Sequence, residues 1–65
     1  MPIVQISLME GRTPAQKERL IAAVTDAVVA AIDAPRSNVR VLLNEMPPAH
    51  WGVGGQSKQR EREGL

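Results

Sequence analysis

The second residue of the chain is the one best placed to carry chemistry. A methionine ahead of a small residue is normally removed, and loss of Met1 leaves Pro2 with a free secondary amine. An α-amino group titrates near about 7.7 to 8.0 in reference peptides, against about 10.4 for lysine. Modest desolvation and nearby positive charge leave such an amine unprotonated at neutral pH, where it can act as a base. Pro2 is equally suited to starting a strand, where a missing N–H is tolerated.

Two arginines stand out beside it. Arg40 interrupts an otherwise apolar stretch and needs a partner, either a carboxylate on a bound substrate, held by the planar guanidinium fork, or a salt bridge to Glu45 or Glu10. Arg12 directly precedes Thr13, at the start of the next element, where the positive end of a helix dipole disfavours a cation. An anion bound there explains it, as does a solvated loop position. The rest of the conventional inventory is sparse: Cys and Tyr are absent, His50 is the only histidine, and no Ser/His/acid arrangement has a distinctive spacing. Gly52-Val53-Gly54-Gly55 lacks the spacing of a nucleotide loop and reads as a hairpin turn. Trp51, the only aromatic residue, suits an interface anchor or an apolar wall near a reacting group. His50 beside it reads as a surface or structural histidine rather than an acid or base, with no acidic partner in view.

These residues must be positioned by a few short elements. Pro2 to Met9 alternates as a strand, with Val4, Ile6 and Leu8 on one face and Ile3, Gln5, Ser7 and Met9 on the other. Thr13-Pro14-Ala15-Gln16 carries a helix start, with Thr13 as N-cap, Pro14 in the first helical position and Gln16 completing a capping box. Leu20, Ala23, Val24, Ala27, Val28, Ala31 and Ile32 recur at three- and four-residue intervals and predict an amphipathic helix that ends at Asp33-Ala34-Pro35. Asn38 to Met46 predicts a second strand, with Val39, Val41 and Leu43 facing opposite Arg40, Leu42 and Asn44. Strand, helix and strand make a βαβ unit with parallel strands and a right-handed crossover. Pro2 and Arg40 then share one sheet edge. Arg12 falls at the other end of the first strand, roughly 20 Å away at about 3.3 Å per residue, so a site using both draws them from different chains.

Composition supports the same conclusion. The 65 residues are 43% hydrophobic but include no Phe or Tyr, one Trp and eight Ala, and a chain of this size is marginal alone. Without Cys and with a single His, disulfides and the common zinc sites are not available to reinforce it. Oligomerisation remains, and the sheet face away from the helix, with Ile3 and Leu42, is the surface expected to pack on another subunit. Net charge +1 without interleaved aromatics speaks against nucleic acid, and no apolar run approaches a membrane span or a signal peptide. The chain is expected to be a single cytoplasmic domain over residues 1–65, with no membrane or nucleic-acid partner. Its tail from Gln56 to Leu65 has no assigned place.

Taken together, Met1-Pro2-Ile3, Leu8-Met9-Glu10-Gly11-Arg12 with Gln16-Lys17, Asp33-Ala34-Pro35 with Asn38-Val39-Arg40-Val41, and Asn44-Glu45-Met46 through His50-Trp51-Gly52-Val53-Gly54-Gly55 resemble the 4-oxalocrotonate tautomerase family, the short-subunit branch of the tautomerase superfamily. The resemblance spans nearly the whole chain. It implies an α+β fold, a single βαβ unit with two parallel strands, one long helix and a C-terminal β-hairpin, assembled as a hexamer from three dimers. It further implies Pro2 as general base, Arg12 and Arg40 binding and polarising carboxylate and carbonyl groups, and Leu8, Asn38 and Trp51 against the substrate. Trp51 replaces the family's usual Phe and takes more room, and Asn38 stands where Ser is common.

The implied reaction needs no cofactor and no metal. Pro2 would take the hydroxyl proton of a 2-hydroxy-dienoate such as 2-hydroxymuconate, a small dicarboxylate, and return a proton to a remote carbon to give the conjugated 2-oxo acid. Some relatives use the proline in its protonated form to hydrate haloacrylates, with an acid activating water, but residues 47–58 contain no acid. The remaining alternative is a noncatalytic subunit or small oligomeric binding protein of the same fold, in which a retained Met1 would make Pro2 a tertiary amide.

Overall fold

The computed structural model describes residues 1–64. Strand β1 (Ile3–Met9) leads into helix α1 (Pro14–Ile32) and returns as strand β2 (Arg40–Met46). The two strands pair in parallel, with Ile3 beside Arg40, Gln5 beside Leu42, Ser7 beside Asn44 and Met9 beside Met46. A hairpin of β3 (Gly52–Val53) and β4 (Gln56–Ser57) and a short helix α2 (Lys58–Arg62) complete the chain.

Helix α1 starts and stops by side-chain and main-chain devices at its two ends. Thr13 Oγ1 accepts from the Gln16 amide at 3.2 Å while Gln16 Oε1 accepts from the Thr13 amide at 2.9 Å, so two otherwise orphan donors are satisfied and Pro14 opens the first turn. At the other end Asp33 takes a left-handed conformation (φ 57°) and donates its amide to Val29 O at 3.0 Å, two residues before Pro35. Thr13→Ala is expected to destabilise the protein by about 1 kcal/mol, read as a lower denaturant midpoint at unchanged slope.

The face that α1 turns to the sheet differs from the predicted one. Leu20, Ile21, Val24, Val28 and Val29 are half-buried, whereas Ala23, Ala27, Ala31 and Ile32 lie exposed, Ile32 by 62%. Periodicity alone fits both stripes. The larger side chains decide, because a Leu, Ile or Val removes far more apolar area from water than an alanine methyl does. Thr25 is the one residue of this face that is buried, and its hydroxyl donates to Ile21 O at 2.7 Å, so no polar atom is stranded. Lys17 is half-buried and donates Nζ to Glu45 Oε1 at 2.8 Å, joining the first turns of α1 to the end of β2.

The strand alternation is as expected over the shared span: Val4, Ile6 and Leu8 of β1 and Val41 and Leu43 of β2 are half-buried, while Ile3, Gln5, Ser7, Arg40, Leu42 and Asn44 are exposed. Strand β2 begins two residues later than predicted. Arg36–Asn38 instead form one 3₁₀ turn, closed by Asn38 N to Pro35 O at 2.9 Å and Val39 N to Arg36 O at 3.2 Å. Asn38 and Val39 therefore lie outside the strand, because the chain has to reverse direction between the helix end and the sheet, and Pro35 sets the entry to that reversal.

The result is a plate with little interior. It measures 47 × 24 × 14 Å, and its radius of gyration of 15.3 Å exceeds the roughly 11 Å typical of a compact domain of this length. Its accessible surface of 4757 Å² likewise exceeds the roughly 4,100 Å² expected for its mass. No hydrophobic residue is fully buried among the described residues, and Ile3 (59%) and Leu42 (49%) stand open on the sheet face away from α1.

The C-terminal segment is ordered by turn chemistry. Pro48–His50 form a second 3₁₀ turn, and Gly54 (φ 63°) and Gly55 (φ 86°) supply the two left-handed residues of a two-residue hairpin loop. Lys58 N donates to Trp51 O at 2.9 Å, and Ser57 Oγ caps α2 by accepting from Arg60 N at 3.1 Å. Helix α2 packs chiefly on the Pro48–His50 turn and the hairpin rather than on α1. No helix among the described residues is long and apolar enough to cross a membrane.

Candidate active site

Three of the residues singled out in the sequence meet at the edge where both strands begin. The Pro2 carbonyl accepts the Arg40 amide at 3.0 Å, extending the parallel ladder one residue beyond β1 and fixing Pro2 beside Arg40. Pro2 is half-buried, and Asn38, also half-buried, sits on the adjoining turn. The Arg40 side chain is exposed and donates Nη1 to Ser37 O at 2.7 Å. It has no carboxylate partner among the described residues, since Glu45 is paired with Lys17 and Glu10 carries no ion pair. A guanidinium has five N–H donors in a rigid fork, so one bond to a carbonyl leaves a face able to take a carboxylate in two parallel bonds. The turn that carries Ser37 and Asn38 is itself tied to α1 by a hydrogen-bonded ion pair between Arg36 Nη1 and Asp26 Oδ1.

The remaining sequence candidates gather at the opposite end. Strand β1 is seven residues long, which puts Arg12 about 20 Å from Pro2 of the same chain. Arg12 is exposed on the loop before α1, with Nη1 3.4 Å from Met9 O, longer than a normal bond, and no acidic partner among the described residues. Gly11 (φ 130°) turns the chain sharply just before it. Leu8 is half-buried on the α1 side of the sheet, beside Glu45. Trp51 is half-buried and lines a shallow cleft of about 280 Å³ with Ser7, Met46, His50 and Gly52. One chain thus brings Pro2, Arg40 and Asn38 together, and Arg12, Leu8 and Trp51 lie near its other end.

Residues 2–61 match the family model described as tautomerase enzyme. The chain belongs to the tautomerase family. A 2-hydroxymuconate tautomerase of Stutzerimonas stutzeri is 51% identical over 57 residues, covering 88% of this tautomerase and 90% of the relative. A 4-oxalocrotonate tautomerase isozyme from Methylibium petroleiphilum superimposes with a TM-score of 0.94 at 41% identity, covering 98% of this chain and all (100%) of that one. A heterohexamer 4-oxalocrotonate tautomerase from Chloroflexus aurantiacus superimposes with a TM-score of 0.87 at 42% identity, over 91% of this chain and 95% of that one. The 4-oxalocrotonate tautomerase resemblance and the βαβ fold with its C-terminal hairpin are therefore correct.

Sequence reading missed several parts of the tautomerase's two clusters. Ser7 and Met46 were read as ordinary strand residues, yet both line the cleft with Trp51, because Ser7 faces away from α1 and Met46 ends β2. Ser37 enters through its carbonyl, to which side-chain type gives no clue. The Arg36–Asp26 pair spans ten positions and a chain reversal, and no spacing rule links them.

Proposed function

We propose that this protein is a cofactor-independent tautomerase that converts a 2-hydroxy-dienoate such as 2-hydroxymuconate to the conjugated 2-oxo acid, with the N-terminal Pro2 of the processed chain as general base. The observation that carries this reading is the placement of Pro2 against Arg40 at one sheet edge, with no carboxylate partner for Arg40 among the described residues. In this reaction the Pro2 amine takes the proton of the 2-hydroxyl group. Negative charge spreads from that oxygen along the diene, and the resulting ammonium returns the proton to a remote carbon, so that atoms and charge balance. Arg40 and Arg12 hold the carboxylate and carbonyl oxygens and stabilise the charge as it develops. Trp51 and Leu8, which like Arg12 must come from a neighbouring chain, supply with Asn38 a wall that keeps water from the amine and favours its neutral form. The name of the Stutzerimonas relative supports the choice of substrate. Hydration of a haloacrylate fits less well, because the acids of the tail are engaged within α2: Glu61 by Lys58 and Glu63 by Gln59.

A single chain cannot bring Arg12 to its own Pro2, so the site in this reading is shared between chains of one 65-residue domain. The uncovered sheet face, the plate-like shape and the hexameric assembly of the Chloroflexus relative support a hexamer built from three dimers. Protein whose intact mass shows loss of Met1 is expected to accelerate ketonisation of 2-hydroxymuconate, followed as loss of dienol absorbance. A rate equal to buffer from such protein would end the proposal. Pro2→Ala and Arg12→Ala chains, each impaired alone, are expected to regain activity when unfolded and refolded together, since mixed assemblies contain sites with both native residues. Absence of any regain would overturn a site shared by Pro2 of one chain and Arg12 of another.

A further inference from the structure

We propose that Asp26 and Arg36 are positioning residues: their ion pair holds the Arg36–Asn38 turn against α1 and so aims Arg40 and Asn38 at the substrate. The proposal rests on the reading above, in which Arg40 acts on the substrate. Arg40 is an exposed side chain on a long flexible stem, and the bond to Ser37 O at 2.7 Å is the one hydrogen bond its guanidinium makes among the described residues. Where that carbonyl points therefore decides where the free face of the guanidinium points. The carbonyl belongs to a three-residue turn whose N-cap, Pro35, makes no side-chain cap. Two main-chain bonds close the turn on itself, and neither ties it to the helix. The Arg36–Asp26 pair is the only side-chain hydrogen bond from the turn to α1 among the described residues. Asp26 lies well inside α1, seven residues before its C-cap Asp33, so the turn is tied to a part of the helix that does not fray.

Both partners are largely exposed (59% and 65%), and ion pairs of this kind add little to stability. Losing the pair should therefore leave the fold intact and act on the chemistry. An arginine that still meets the substrate carboxylate, but is no longer aimed at the charge that develops, loses more in the transition state than in the ground state. The loss then falls on kcat rather than on KM.

Two single substitutions separate this role from a general effect of charge on an anionic substrate. Asp26→Asn removes a negative charge and Arg36→Gln removes a positive one, so a field effect moves KM in opposite directions. Loss of the tether lowers kcat in both. Each variant is expected to lower kcat for 2-hydroxymuconate about two- to fivefold with the melting temperature unchanged, and the reversed pair Asp26→Arg with Arg36→Asp is expected to restore most of it. Unchanged kcat in both single variants, or opposite changes in the two, overturns the proposal if Arg40→Ala is severely impaired in the same assay. Full activity of Arg40→Ala instead overturns the reading on which the proposal rests.

Discussion

Protein that keeps Met1 is expected to ketonise 2-hydroxymuconate about 100- to 10,000-fold more slowly than protein that begins at Pro2. The proposed base is a ring nitrogen. With Met1 attached that nitrogen is an amide, its lone pair is delocalised into the carbonyl, and it cannot take a proton near neutral pH. Both forms can be prepared from one sequence by expression with and without the processing aminopeptidase, and they differ in mass by one methionine. The difference should also appear in the pH profile. A base must be unprotonated in the free enzyme, so kcat/KM of the processed protein rises with pH through the titration of the proline amine and then levels off. The Met1-bearing form lacks this limb altogether. Equal activity in the two forms would remove Pro2 from the chemistry.

Replacing Arg40 with Ala is expected to lower kcat/KM by about 100- to 1,000-fold, the range found when one charge-stabilising donor is removed from an active site. In the proposed site the Arg40 guanidinium acts twice, by holding the substrate oxygens and by favouring the neutral amine. Its removal should therefore shift the pH limb upward as well as lower its plateau. Arg40→Lys keeps the charge but not the fork, so it should restore the position of the pH limb more fully than the rate. Circular dichroism and sedimentation of the variants check that fold and assembly survive. A variant with intact assembly and near-native kcat/KM would mean that Arg40 serves only to bond the Arg36–Asn38 turn.

Most of the fold was legible because its elements are announced locally. The capping box at Thr13 and Gln16, the strand alternation from Ile3 and the paired glycines at Gly54 and Gly55 each act through neighbours in sequence, and each is present in the structure. The face of α1 was misread because the helix's six alanines blur the apolar stripe, and the choice between two stripes is made by contact with strands far away in sequence. The start of β2 was misread because Asn38-Val39 has strand character while the reversal after Pro35 needs those residues for a turn. In the candidate site, Pro2 and Arg40 could be placed together from parallel topology alone. The Ser37 carbonyl and the Asp26–Arg36 pair could not, since one involves only the main chain and the other depends on how the turn docks on the helix.

The bond from the Arg40 amide to the Pro2 carbonyl also bears on conformational entropy. A lysine recruited as a base would have to immobilise four side-chain torsions, at a cost of about 1.5 to 2 kcal/mol in rotamer freedom. The nitrogen of Pro2 has no such torsions. It is locked in a five-membered ring and lies one rotatable bond from a carbonyl already fixed in the sheet, so strand pairing alone orders the atom proposed to react. For a plate that buries so little of its own surface, a base whose orientation comes with the formation of the sheet requires no supporting shell of packed side chains to hold it.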